Sequence, residues 1–318
     1  MKADAEKGRA FSNVVAEYST QFNPTFPLKI VGGQHRFEAI QHALTSGVDE
    51  YHGIKVYFNL NKDQRMDVQL ISNTAIAVSS ALIDRMIETA TGAGLRTWAQ
   101  SVGILAPKKD FADQPSRGAI TVRLARSSIV NFYRGKAIAD FENAETMPVL
   151  CSSGAENDPA WTSVIDQNSE LWKDPNLLKA GNEYALLVAA QRKAFAGKNG
   201  VKADYPVKAL NLAVAAAWAF VAGTLQNNQT RLQRHYDLRK ESKHDPLDAA
   251  SLAQGRFKSD SANYRGLGYR TDAKERGRLA EVFYMQAEKG NGLSLALIQN
   301  AIRKYEMKVI QLDMDEDE

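Results

Sequence analysis

The chain has little cysteine, little net charge and no apolar run long enough to cross a bilayer. One cysteine among 318 residues, Cys151, leaves no disulfide framework and no cysteine-based zinc site, a usage that fits a reducing cytoplasm. Beside "SSG" this cysteine reads as a small buried or loop residue rather than a nucleophile. Lysine and arginine (40) nearly balance aspartate and glutamate (37), so the formal charge of 40 − 37 = +3 argues neither for nor against nucleic acid. The most membrane-like stretch, "ALNLAVAAAWAFVAGTL" (209–225), lacks charge but is Ala-rich, contains Asn211 and falls short of the ~20 residues that span a membrane. It reads as a buried core helix. The amino-terminal "MKADAEKGRA" is charged and has no apolar core, so no secretion signal is expected and the chain is expected to be cytoplasmic, without membrane partners. Apart from His35, the histidines, His42, His52, His235 and His244, show no metal-ligand spacing.

What is present is an ordinary globular balance, 44% hydrophobic and 24% charged residues, enough for one large or two ordinary domains. Phe11, Val14, Val15 and Tyr18 recur at helical spacing, so residues 1–27 are read as opening with a helix that "QFNPTFP" breaks. "LKIV" (28–31) reads as a buried strand, "FEAIQHAL" (37–44) as a helix, "IKVYFNL" (54–60) as a second strand and the segment 61–90 as one or two helices. Segment 117–145 is read mostly as helix. The polar stretch "SSGAENDPAWTSV" from 152 is taken as a domain boundary, and the chain beyond it as mainly helical. The expected organisation is an α/β (α+β) domain over 1–150, a helical domain over 151–312 and an acidic tail, "DMDEDE", over 313–318.

The chemistry concentrates in "KIVGGQHRFEAI" (29–40). A strand that stops at paired glycines and restarts as a helix leaves backbone N–H groups unpaired at the helix start, which favours an anion. Gly32 and Gly33 let the backbone approach a ligand closely. Arg36 brings a planar fork suited to two phosphate oxygens, His35 a donor or proton shuttle, and Gln34 a group that orients water. Neither the Walker loop nor the three-glycine dinucleotide fingerprint is present.

"IVGGQHRFEAI", with "FNPTFP" and Arg9 upstream and "VQLISNTAIAVSSALIDRM" (68–86) downstream, resembles the DGQHR-domain family of the ParB/sulfiredoxin superfamily, which includes DndB- and DpdB-like DNA-modification proteins. The resemblance covers about residues 5–90 and, more loosely, 264–284. It implies a ParB/sulfiredoxin-like fold for the first domain. It also implies a nucleotide site of Gly32, Gly33, Gln34, His35, Arg36, Ser72, Asn73, Thr74 and Arg9, with ATP or another NTP bound, Mg2+ as companion, and a separate DNA-modification enzyme as partner. Three departures matter. Ser72 stands where ParB has a metal-placing glutamate, Gln34 replaces the sulfiredoxin cysteine and so removes its thiolate chemistry, and Gly32 replaces the acid of "DGQHR". Asp63 and Asp67 are the carboxylates nearest Asn73 in sequence and read as exposed helix residues.

From Gln229 to Arg278 twelve basic residues face seven acidic ones, 12 − 7 = +5. Arg231, Arg234, Arg239 and Lys240, with Arg270 in "NYRGLGYR", are the candidate DNA contacts, backbone-directed because no recognition motif accompanies them. The leading expectation is a nucleotide-binding and hydrolysing enzyme in which Gln34, His35 and Arg36 act at the phosphates. The alternatives are a non-enzymatic DNA-binding regulator and, third, a ParB-like nuclease. A homo-oligomer is compatible with each.

Overall fold

The structure is a computed structural model describing residues 1–9, 11–21, 23–72, 79–145, 147–154, 158–241, 243–256 and 266–316; of residues 70–72 and 315–316 only the backbone is described. The chain divides into two compact units, Met1–Ser79 and Ser80–Glu318. The sheet-bearing unit is therefore shorter than the expected 1–150. Residues 80–150 belong to the helical unit because helix Ser80–Thr91 packs on helix Val122–Lys136.

The first unit is α+β. Its elements are α1 (Lys2–Ala5), β1 (Val14–Tyr18), β2 (Leu28–Gly32), α2 (Gln34–Thr45), β3 (Ile54–Phe58) and α3 (Lys62–Ser72). The strands form one mixed sheet in the order β2-β1-β3, with β1 antiparallel to β2 and parallel to β3. The helix expected around Phe11–Tyr18 is instead the central strand. Its Val-Val-Ala-Glu-Tyr sequence is rich in β-branched and aromatic residues, and pairing on both edges outweighs a spacing that also fits a helix. Glu17 is fully buried within that strand, and Arg65 of α3 neutralises it by placing Nε 2.9 Å from both carboxylate oxygens. Ala5 packs with Ala39 and Ala43 of α2, with Phe11 and Val48 closing the small core. Against β1, β2 carries one extra residue between Ile30 and Gly32, a bulge that bends the strand just before the glycine turn.

The second unit contains α4 (Ser80–Thr91), α5 (Gly94–Ser101), α6 (Val122–Lys136), α7 (Pro159–Gln167), α8 (Pro175–Ala194), α9 (Leu212–Thr224), α10 (Gln229–Asp237), α11 (Ala249–Gln254), α12 (Ala273–Lys289) and α13 (Leu295–Glu316). At its centre is α9, in which every residue from Ala213 to Gly223 is buried, as its composition anticipates. Asn211, the N-cap residue, caps the helix by accepting from Ala213 N and Val214 N. Helices α6 and α9 cross at Gly135 and Gly223. A methyl on Gly135 would lie 1.9 Å from the Phe220 carbonyl oxygen, and one on Gly223 2.0 Å from that of Phe132.

Three further expectations change. Helix in 117–145 is confined to α6. The polar stretch at 152 is a clip inside the helical unit rather than a boundary: buried Asp84 accepts from Ser153 Oγ (2.6 Å) and Gly154 N (2.7 Å), and Cys151 N donates to Ser127 Oγ. The acidic tail is not a separate segment, since α13 runs through Asp313 to Glu316. Among the described residues no helix is long and apolar enough to cross a membrane.

Candidate functional site

Local sequence dictates the turn that begins α2. Gly33 is its N-cap at φ +85°, a left-handed conformation that favours glycine, and no side chain caps the helix. The first helical bond runs from Phe37 N to Gly33 O, which leaves the amides of Gln34, His35 and Arg36 outside the helical ladder. No acidic residue occupies the first turn, so its partial positive charge is not offset.

Arg36 is held in place from one side. Its Nη1 donates to Ser12 O and Asn13 O, both at 3.0 Å, and to Ser12 Oγ, tying α2 to the segment that leads into β1. These acceptors are neutral, and Arg36 forms no ion pair among the described residues. The opposite edge of the guanidinium lies over the turn: Nε and Nη2 are each 3.0 Å from where a Cβ on Gly33 would sit. Glycine at 33 thus admits both the backbone conformation and the arginine edge. Gln34 and His35 are exposed, His35 with Nδ1 3.8 Å from Glu38. Gln34 to Arg36 accordingly form one contiguous concentration of donors, while Gly32 is buried at the end of β2, paired with Val15.

The remaining expected nucleotide residues distribute differently. Arg9 lies beyond the end of α1 and makes an exposed ion pair with Asp4 at 2.9 Å. Ser72 is the last residue of α3, with only its backbone described, and Asn73 and Thr74 lie outside the described residues. Asp63 and Asp67 are exposed on α3. Among the described residues no three His, Cys, Asp or Glu side chains converge on a common point, so they offer no all-protein magnesium cage.

The basic candidates of the helical unit are mostly neutralised within it. Arg231 bonds to Glu288 (2.9 Å) and Tyr284 OH (2.9 Å), Arg239 to Glu183 (2.6 Å), Lys240 to Asp237 (2.7 Å) and Arg270 to Asp272 (3.1 Å). Arg234 donates to the carbonyl of Glu288 at 2.6 Å. The positive face read from the sequence is thus largely a set of internal ion pairs. Cys151 is fully buried and its thiol is pushed up to about 12, chiefly by that burial, which removes the thiolate a nucleophile needs. Sequence reasoning missed a different group of cations, Arg117, Arg123, Lys202, Lys208 and Arg256, which line one cleft of the helical unit. They come from three separate stretches, 117–123, 202–208 and 256, so no single run marked them.

No protein-family model matches the chain, and neither a curated protein nor a solved structure is significantly similar to it.

Proposed function

We propose that the amino-terminal unit binds the phosphates of a nucleoside triphosphate, ATP or a relative, at the start of α2 and promotes its hydrolysis. One observation carries this: a guanidinium with no carboxylate partner among the described residues presents its Nε–Nη2 edge across an uncapped helix start. That edge is the one that grips two oxygens of a phosphate, and the free amides of Gln34, His35 and Arg36 add donors along the same turn. Anchoring Nη1 on Ser12 and Asn13 fixes the fork before ligand arrives, so little side-chain entropy is lost on binding. Developing negative charge on the transferred phosphoryl group is met by Arg36 and the amides, while Gln34 or His35 orients the attacking water. Mg2+ would supply charge neutralisation as the nucleotide's companion. The described residues provide no cage for it, and binding is attributed to the amides and Arg36. Consistent with the DGQHR resemblance, the role assigned to this chemistry is service to a separate DNA-modification enzyme.

The test is nucleotide titration of the full-length protein followed by differential scanning calorimetry and phosphate release. ATP is expected to raise the melting temperature of the wild type. Arg36→Lys keeps a cation for the Ser12 and Asn13 carbonyls but removes the bidentate edge, and is expected to lose at least about tenfold in affinity, the worth of one charge-assisted bond. A melting temperature unmoved by millimolar ATP or GTP rules the site out. Binding without phosphate release keeps the site and refutes its hydrolytic role.

A further inference from the structure

A cleft of about 920 Å³ opens in the helical unit, a volume at the upper end of small-molecule and cofactor sites. Five cations line it, Arg117, Arg123, Lys202, Lys208 and Arg256, against a single acid, Asp204, a balance of 5 − 1 = +4. Asp204 is already engaged by Lys208, whose Nζ lies 2.6 Å away, so the acid does little to offset the other four. Arg117, Lys202 and Arg256 are exposed and form no ion pair among the described residues. Arg123 lines the cleft as well, anchored through Nε on the Cys151 carbonyl at 2.7 Å.

The backbone adds to this field. The starts of three helices border the same space: Ser80 and Ala81 of α4, Arg123 of α6 with its N-cap Thr121, and Leu212 of α9 with its N-cap Asn211. Their positive dipole ends therefore reinforce the side-chain charge instead of opposing it. Deepest is Lys208, with its side chain 1% exposed, donating also to Gly268 O at 3.1 Å and lying 3.7 Å from the centre of the Tyr269 ring. Burial lowers the pKa of Lys208, with Asp204 acting against that loss. Part of the remaining wall is apolar, including Ala81, Leu124, Val207, Leu210 and Leu212, and the rest carries hydroxyl and amide side chains such as Ser116, Thr121 and Asn211. A simple anion would leave the apolar part unused, and a purely apolar ligand would strand the cations.

We propose that this cleft is a second binding site, distinct from the glycine turn, whose ligand is a nucleoside phosphate: phosphates on the arginines and Lys202, the base against the apolar wall. The same chemistry is offered by a free nucleotide and by a nucleotide within single-stranded DNA. Two arms of the test separate them. Full-length protein is titrated with ATP by calorimetry and with a fluorescent ten-residue oligodeoxythymidylate by anisotropy, for the wild type, the Arg117→Ala/Arg256→Ala double variant and Arg36→Lys. Both substituted cleft residues are exposed, and a melting temperature no lower than that of the wild type checks the fold. The double variant is expected to weaken ATP or the oligonucleotide by at least about tenfold, since two charge-assisted contacts are lost, whereas Arg36→Lys leaves that component within twofold. Loss confined to ATP identifies a free nucleotide, and loss confined to the oligonucleotide identifies the strand. If neither ligand binds, or if the double variant binds both as the wild type does, the cleft assignment is wrong. Because Arg36→Lys reports on the glycine turn alone, failure of either site is seen independently of the other.

Discussion

His235 offers a measurable test of how the helical unit is built. Its ring is fully buried on α10, stacked on Trp218 with centroids 4.7 Å apart and edge-on to Phe283 at 5.9 Å. Nε2 lies 3.1 Å from the Trp218 carbonyl, so the neutral ring carries its proton there, and Nδ1 has no hydrogen-bond partner. Burial drives its pKa down to about 3, with the carbonyl bond as a smaller opposing effect. The native state therefore stays neutral where the unfolded chain, near 6.5, already binds a proton. Stability from this residue is full above pH 6.5 and is lost as pH falls from 6.5 towards 3. At pH 5 the unfolded state has gained about 1.5 pH units of protonation free energy, or roughly 2 kcal/mol. The four tryptophans, at 98, 161, 172 and 218, all lie in the helical unit, so urea unfolding followed by tryptophan fluorescence reports on it selectively. His235→Gln removes the titration while leaving other groups common to both proteins. The stability advantage of wild type over variant should shrink by roughly 2 kcal/mol between pH 7.5 and pH 5, at unchanged urea dependence. An advantage constant to within about 0.5 kcal/mol would refute the buried neutral imidazole, because that difference corresponds to a pKa shift of well under one unit.

Two other substitutions probe each unit separately. Gly223→Ala places a methyl 2.0 Å from the Phe132 carbonyl oxygen, backbone that cannot swing aside, so α6 and α9 must separate. The expected cost is about 3 kcal/mol or more, and a fall in melting temperature of roughly 6–12 °C read by tryptophan fluorescence; an unchanged midpoint would mean that the helices do not cross there. Arg65→Ala leaves the fully buried Glu17 carboxylate without the guanidinium that contacts both its oxygens, and should destabilise the first unit by about 2–4 kcal/mol. Faster hydrogen exchange of the β1 amides with unaltered tryptophan unfolding is the expected signature, whereas protection equal to wild type would show that water reaches Glu17.

The elements legible in the sequence carry their signals locally. Paired glycines after "LKIV" mark the strand end and the start of α2 because both the positive φ of Gly33 and the uncapped amides follow from adjacent residues. The uncharged run 209–225 identifies α9 as core for a similar reason: nothing in it requires water. Strand β1 is not legible in this way, since a central strand flanked on both sides takes its identity from residues elsewhere in the chain, Leu28–Gly32 and Ile54–Phe58. Buried Glu17 also breaks the apolar pattern such a strand would show, and its explanation, Arg65, is 48 residues away. The clip at Ser153 and Gly154 has the composition of a linker, and only Asp84, 69 and 70 residues distant, turns it into part of a packed unit.

The cations show the same distinction in its functional form. Along the sequence, Arg231, Arg239 and Lys240 make a conspicuous basic run while Arg117, Lys202 and Arg256 are isolated. In space Glu288, Glu183 and Asp237 pair with the run, and no carboxylate among the described residues pairs with the isolated three. A positive charge attracts an external phosphate in proportion to the field left after its neighbours are counted, and a neighbouring carboxylate at ion-pair distance removes most of it. The clustered residues meet acids of packed helices, Glu288 and Glu183, or an acid three residues away, Asp237. Dispersal across segments instead brings like charges together only when the fold closes around a space, and their mutual repulsion there costs stability. That cost is reduced when an anion enters, which makes the cleft's unpaired charge the stronger indication of a ligand.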